Sequence, residues 1–203
     1  MTIQAYLAFI GIAALVVLMP GPDFALVTRN TLSGGPSRGR ATALGVGIAC
    51  AVQGAAAVTG LGALIRASQP LFEAIKWAGV VYLAYLAVQS FRAAWRAEEP
   101  RELREVASTR GLVQGFLCNI TNPKALVFYL ALLPQFMGDG SWGTLALLAL
   151  THAVLGVVWL LLLASLLGRL RPFLTRKPMR RTLDAATGTA LGAFSLKLAL
   201  DHG

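Results

Sequence analysis

The 203-residue chain is 56% hydrophobic and only 13% charged, against about 25% charged residues in soluble domains. So few charges cannot clothe the surface of a water-soluble fold of this size, which excludes an ordinary soluble domain. The formal balance of 18 Lys and Arg against 9 Asp and Glu is +9. That excess is also met in nucleic-acid binders, so the placement of the charges along the chain decides between the two classes.

A membrane-spanning helix needs about 20 apolar residues at about 1.5 Å rise each. Thr2 to Pro22 carries no charged side chain and is predicted as helix 1. It is read as part of the mature protein, because no Lys or Arg precedes it and no short apolar region ends in a small-residue cleavage site. Ala41 to Ile65, 25 positions without a charge, is predicted as helix 2. Trp77 to Phe91 becomes a full span, helix 3, once 71–76 is added, with Glu73 and Lys76 read as an interfacial i, i+3 pair. After the charged stretch Arg92 to Arg110 come Gly111 to Met137, apolar except around Asn119–Lys124, and Trp142 to Gly168, which holds only His152. Thr182 to Leu200, with Asp184 and Lys197 near its ends, completes six predicted spans.

Arg29, Arg38 and Arg40 fall in the loop after helix 1. Arg92, Arg96, Arg101, Arg104 and Arg110 follow helix 3, and Arg169, Arg171, Arg176, Lys177, Arg180 and Arg181 follow helix 5. Fourteen of the 18 basic residues therefore mark one face, the alternate face receiving Arg66 and Lys76 and nothing in the turn Gly138–Ser141. The positive-inside rule places both termini outside the cytoplasm, and the basic excess reads as a solvated rim rather than a nucleic-acid surface. Trp77, Trp95 and Trp142 fall near predicted helix ends, where indoles lie at headgroup level. Cys50 and Cys118 sit inside apolar segments without metal-ligand spacing, so neither a zinc site nor a disulfide framework is expected.

Six helices invite a search for two halves. Pro22 and Pro123 stand 101 residues apart, each interrupting an apolar helix beside a Gly or Asn, and Asp23 then corresponds to Lys124. Three spans per half turn the second half over in the membrane, as in the inverted repeats of many secondary transporters. The expected architecture is therefore all-α: two inverted three-helix repeats, about 1–92 and 111–203, joined by a charged cytoplasmic linker at 92–110, with helices 1 and 4 broken.

Proline has no backbone donor, so Pro20, Pro22 and Pro123 free backbone groups that lipid cannot solvate. Such breaks are either kinks tolerated in packing or half-helix ends that bind a polar solute. Two matched breaks, each followed at once by an ionisable residue, point to a site. An intramembrane charge costs at least about 2.5–3.5 kcal/mol on insertion scales. Lys124, 13 residues beyond Gly111, lies well inside and could attract a carboxylate. Asp23 precedes Arg29 by six residues and in a continuous helix would stand near the cytoplasmic interface, as an N-cap, as a partner of Lys124 or as a proton carrier. Asn119 and Asn122 flank the second break and can bond a solute or the freed backbone. Gln53 and His152 are secondary candidates, with an interhelical hydrogen bond as the plainer role. Helix 2 also shows small residues, Gly47, Ala51, Ala55 and Thr59 beside Cys50, Gly54, Val58 and Gly62, a pattern of close helix contact.

The strings MPGPDFALVTRNTLSGGPSRGRATALGVGIA, KWAGVVYLAYLA and GFLCNITNPKALVFYLALLPQF resemble, in order and over nearly the whole chain, the LysE/RhtB family of amino-acid exporters. The family's PGP in the first helix is met by Pro20, Gly21 and Pro22, and its NPK in the fourth by Asn122, Pro123 and Lys124. The resemblance implies efflux of amino acids or related small solutes across a bacterial inner membrane, driven by protons or a counter-solute, with no enzymatic activity, no cofactor and no nucleic acid. A homodimer is compatible with it. Residues after PGP vary among members, so Asp23 speaks of this protein's substrate or coupling. The competing class is a membrane thiol oxidoreductase of the CcdA/DsbD type using Cys50 and Cys118, although no CxxC is present to exchange electrons with a thioredoxin-like partner. A purely structural membrane subunit would place no polar groups at broken helices.

Overall fold

The computed structural model describes residues 1–59, 69–96, 104–136, 142–174 and 177–200, and all regular structure among them is helical. The predicted helix 2 beyond residue 59, with Gly62 and Ile65, lies outside the described residues, as do Arg66, Arg101, the turn at 138–141 and Arg176. The side chains of Glu73, Lys76, Arg96, Arg104, Lys177 and Arg180 lie outside them too.

Helix α1 (Ile3–Leu18) starts on Thr2, whose hydroxyl accepts from Ala5 N at 3.2 Å, and stops before the PGP motif. Helix α2 (Pro22–Val58) begins with Pro22 in its first turn, where the missing N–H has no partner to lose. The stretch read as a basic loop at Arg29–Arg40 is instead helix on both sides of one residue. Gly35 has φ 86° and ψ 171°, a region nearly exclusive to glycine, and Pro36 restarts the helix. The two arms of α2, 22–34 and 36–58, fold back on each other, since Asn30 Nδ2 donates to Thr42 Oγ1 at 2.9 Å. A turn this sharp needs no loop because Gly35 alone supplies the reversal and Arg171 Nε donates to Leu32 O at 3.1 Å, capping the first arm.

A Cβ on Gly35 would find its nearest neighbour, Arg171 Nη1, 3.9 Å away, so space is available and only the torsion excludes other residues. Gly35→Ala is accordingly expected to destabilise the fold by about 1–3 kcal/mol, read as a lower melting temperature of the detergent-purified protein. An unchanged melting temperature would mean that the hairpin closes without the positive φ.

Helix α3 (Gln69–Arg96) follows, then α4 (Arg104–Ile120) and the short α5 (Pro123–Val127), which continues as a π turn (Phe128–Leu132) and a 3-10 turn (Leu133–Phe136). Pro134 has no N–H for the α-helical ladder, and the chain widens and tightens around it. Helices α6 (Trp142–Leu174) and α7 (Lys177–Leu200) complete the chain.

Helix α2 is the centre of the molecule: it packs on α4 and α6, while α3 packs on α7 along the other side. Glycines set the first of these contacts. A Cβ on Gly45 would run into Leu112 O, and one on Gly115 into Thr42 O, so α2 and α4 touch backbone to backbone. Gly47 lies against Val157 and Gly54 against Ala149 and Tyr129. The expected seam of small residues is therefore only partly right: Ala51, Ala55 and Thr59 are exposed, because the contact face follows Gly47, Cys50 and Gly54.

Leu147, Leu150, Val154, Val158, Leu162 and Leu166 of α6 are all exposed on one stripe of the helix. At 1.5 Å per residue the stripe runs about 29 Å, the thickness of a bilayer's hydrocarbon core. Among the described residues, Pro22–Val58, through its second arm, and Trp142–Leu174 are long and apolar enough to span it. Arg38, Arg110 and Arg171, drawn from three separate basic stretches, gather at the Gly35 end: Arg38 Nη2 donates to Gln114 Oε1 at 3.2 Å, Arg110 adjoins Gly111, which touches Arg38, and Arg171 caps Leu32. Trp77, Trp95 and Trp142 are exposed, the last two at helix ends.

Candidate functional site

Both proline motifs break their helices, and the two breaks meet. At the first, α1 ends at Leu18 and α2 restarts after Gly21, with Pro20 and Pro22 on either side. At the second, α4 ends at Ile120 and α5 restarts on Asn122, whose side chain accepts from Lys124 N at 3.0 Å, with Pro123 in the first turn. Each break leaves C-terminal carbonyls without helical partners.

Those carbonyls are satisfied by side chains from elsewhere. Lys124 Nζ donates to Val16 O and Met19 O, both at 2.9 Å, placing a cation at the negative end of α1. Gln53 Nε2 donates to Asn119 O and Ile120 O, both at 3.2 Å, closing the end of α4. In return Asp23, in the first turn of α2, accepts at Oδ2 from Asn119 Nδ2 at 3.0 Å and Asn122 Nδ2 at 2.8 Å. The lysine of the second break thus holds the first, and the amides of the second hold the aspartate of the first.

Asp23 is not an N-cap: Gly21 occupies that position and makes no side-chain cap bond. The first arm of α2 continues past Arg29 to Gly35, so Asp23 lies about 18 Å from the turn at 1.5 Å per residue. Asp23 and Lys124 line the same cavity, each bonded to other groups, with no ion pair between them among the described residues.

Gly21, Asp23, Asn119, Lys124 and His152 line one cavity of about 50 Å³, closed by Val16, Val17, Phe24, Val46, Cys50 and Leu160 among others. Asn122 reaches it through Asp23 and Gln53 through the end of α4, whereas Pro20, Pro22 and Pro123 act through the backbone. The volume holds one or two waters, against about 300–1,000 Å³ for ordinary ligand pockets. A solute of amino-acid size therefore needs more room than this cavity offers.

Sequence reasoning missed three contributors. Tyr129 OH bonds His152 Nδ1 at 3.0 Å, and Phe128 stacks on the imidazole with 3.8 Å between centroids. Trp159, deep in α6, lines the cavity. Its only signal was being the one Trp far from a predicted helix end. Cys50 and Cys118 are both free and buried, and Cys50 Sγ donates to Asn119 Oδ1 at 3.5 Å.

A chain whose regular structure among the described residues is all helical, with a lipid-length apolar stripe and a charged and amide-lined cavity between two interrupted helices, is built as a membrane translocator. The chain belongs to the LysE type translocator family, whose sequence profile matches residues 5–202; it is a transporter and not an enzyme. It is 32% identical to the uncharacterized membrane protein YrhP of Bacillus subtilis (strain 168), over 97% of this chain and 99% of that protein. It is 30% identical to a homoserine/homoserine lactone efflux protein of Salmonella typhi over 93% of each chain. A threonine efflux protein of Escherichia coli (strain K12) is 27% identical over 93% of this chain and 94% of its own. No solved structure matches the chain at the same stringency. Neither the site nor these relatives support a thiol oxidoreductase.

Proposed function

We propose that the chain is a secondary exporter that carries amino acids or related small zwitterionic metabolites out of the cytoplasm in exchange for protons or a counter-solute. The observation that carries this reading is the reciprocal hold between the two breaks, which leaves one carboxylate and one ammonium facing a single small cavity. An ammonium has three N–H donors, so Lys124 keeps one for a substrate carboxylate after bonding two carbonyls. Asp23 keeps Oδ1, which is buried without a hydrogen-bond partner among the described residues, for a substrate ammonium or a coupling proton. The two relatives named as efflux proteins accord with this chemistry.

In this reading the two halves form an inverted repeat. Its support is that counterparts pack on each other: the second arm of α2 on α6, and α3 on α7. The basic Gly35 end faces the cytoplasm, both termini lie outside it, and one half rocks against the other to open the cavity to either side. In inside-out membrane vesicles, labelled amino acids are expected to accumulate when the lumen is acid, and collapse of the pH gradient is expected to stop accumulation. No uptake across a broad amino-acid panel would overturn the exporter reading; uptake indifferent to the gradient would replace protons by a counter-solute.

A further inference from the structure

Trp159 stands on α6 one turn beyond Gly156 and two beyond His152, and all three line the cavity. Its indole Nε1 is buried and has no hydrogen-bond partner among the described residues. Buried indoles ordinarily bond through that N–H, and an orphaned buried polar group calls for an explanation. The same wall holds a second orphan, Asp23 Oδ1. A donor and an acceptor left unpaired around one cavity are what a ligand with both kinds of group would complete.

The level of Trp159 says which part of a ligand it would meet. Because Gly47 lies against Val157 and Gly54 against Ala149, α6 runs antiparallel to the second arm of α2, toward the Gly35 end. Cys50, bonded to Asn119, therefore lies opposite about residue 153 of α6. Trp159 is six residues nearer the Gly35 end, about 9 Å along the axis. Helical side chains lean toward the helix N-terminus, which brings the indole part of the way back toward the Asp23 and Asn119 level. The indole thus stands past the two charged groups, on their Gly35 side.

We infer that Trp159 is a specificity-determining residue whose indole N–H donates to a neutral oxygen on the side chain of an amino acid, the ammonium and carboxylate of which are held by Asp23 and Lys124. This rests on the exporter reading above. A site that hydrogen-bonds a substrate hydroxyl rejects the analogue lacking it far more strongly than an apolar pocket rejects an added one.

The test compares substrates that differ by a hydroxyl for a methyl, threonine against valine and homoserine against norvaline, in inside-out vesicles with the wild type and W159F. The wild type is expected to favour the hydroxyl member of each pair. W159F keeps the aromatic plate and loses the donor, so transport of the hydroxyl member is expected to fall about tenfold, mainly through KM, while the methyl member changes less than about twofold. Equal losses for both members would mark Trp159 as a packing residue and overturn the inference, as would no change or no preference in the wild type. A wild type that moves no amino acid of a wider panel overturns the exporter reading and this inference with it.

A second measurement does not depend on W159F folding. With Trp77, Trp95 and Trp142 replaced by Phe, the fluorescence of Trp159 is expected to respond to threonine at lower concentration than to valine; equal responses overturn the inference.

Discussion

Replacing Lys124 with Met is expected to abolish transport and to lower the melting temperature together, because one ammonium serves two tasks. Structurally it bonds Val16 O and Met19 O, at the carbonyl end of the apolar helix α1. Met fills similar space but donates nothing, leaving two carbonyls unpaired at about 1–3 kcal/mol each. Functionally it removes the only cation lining the cavity among the described residues. Loss of one charge-assisted contact to a carboxylate is worth about 1.5–3 kcal/mol, which is a fall of roughly ten- to a hundredfold at 1.36 kcal/mol per decade. The two losses compound, so transport in vesicles is expected to drop by more than about a hundredfold. Lys124→Arg keeps the charge on a planar fork that a cavity of about 50 Å³ does not accommodate in the same place, and is expected to recover little. A Lys124→Met protein that transports normally would strip the residue of both roles.

The breaks themselves were legible because proline acts locally: PGP and NPK cannot continue a helix whatever surrounds them. Their meeting was not, since it depends on α2 and α4 packing backbone to backbone, Gly45 on Leu112 and Gly115 on Thr42, contacts between residues 67 and 73 apart in the chain. The hairpin in α2 was hidden for the opposite reason. Arg29, Arg38 and Arg40 read as a loop because charge signals water, yet here the charges ride on helix and one glycine torsion makes the turn. Reading the stretch as a loop also hid the first arm of α2, which separates Asp23 from the turn at Gly35. Tyr129 carried no signal and Trp159 only its distance from a predicted helix end, since an aromatic within an apolar run has the same signature whether it faces lipid, core or cavity. Lys124 was found by its charge, but its hold on the end of α1 appears only when both breaks are in place.

Asp23→Asn separates charge from shape more cleanly than any other substitution in the site. The carboxylate accepts from Asn119 and Asn122 at a single oxygen, Oδ2. An asparagine presents one carbonyl oxygen and can accept both bonds there, turning its NH₂ toward the position of Oδ1. The fold is therefore expected to persist, with a melting temperature no lower than the wild type's, since a desolvated charge without a direct ion pair has been removed. Transport is expected to fall about ten- to a hundredfold, the worth of one charged hydrogen bond, because the remaining donor repels a substrate ammonium and cannot take up a proton. What transport remains is expected to be indifferent to the pH gradient, which a purely structural Asp23 would not produce. Because Asp23 and Lys124 line one cavity and are read as holding one substrate, their effects should not add: the Asp23→Asn, Lys124→Met double variant is expected to transport no worse than Lys124→Met alone. Full additivity of the two losses, or an Asp23→Asn protein that still follows the gradient, would show that the charges work apart and that coupling resides elsewhere, with His152 and its bond to Tyr129 the next group to replace.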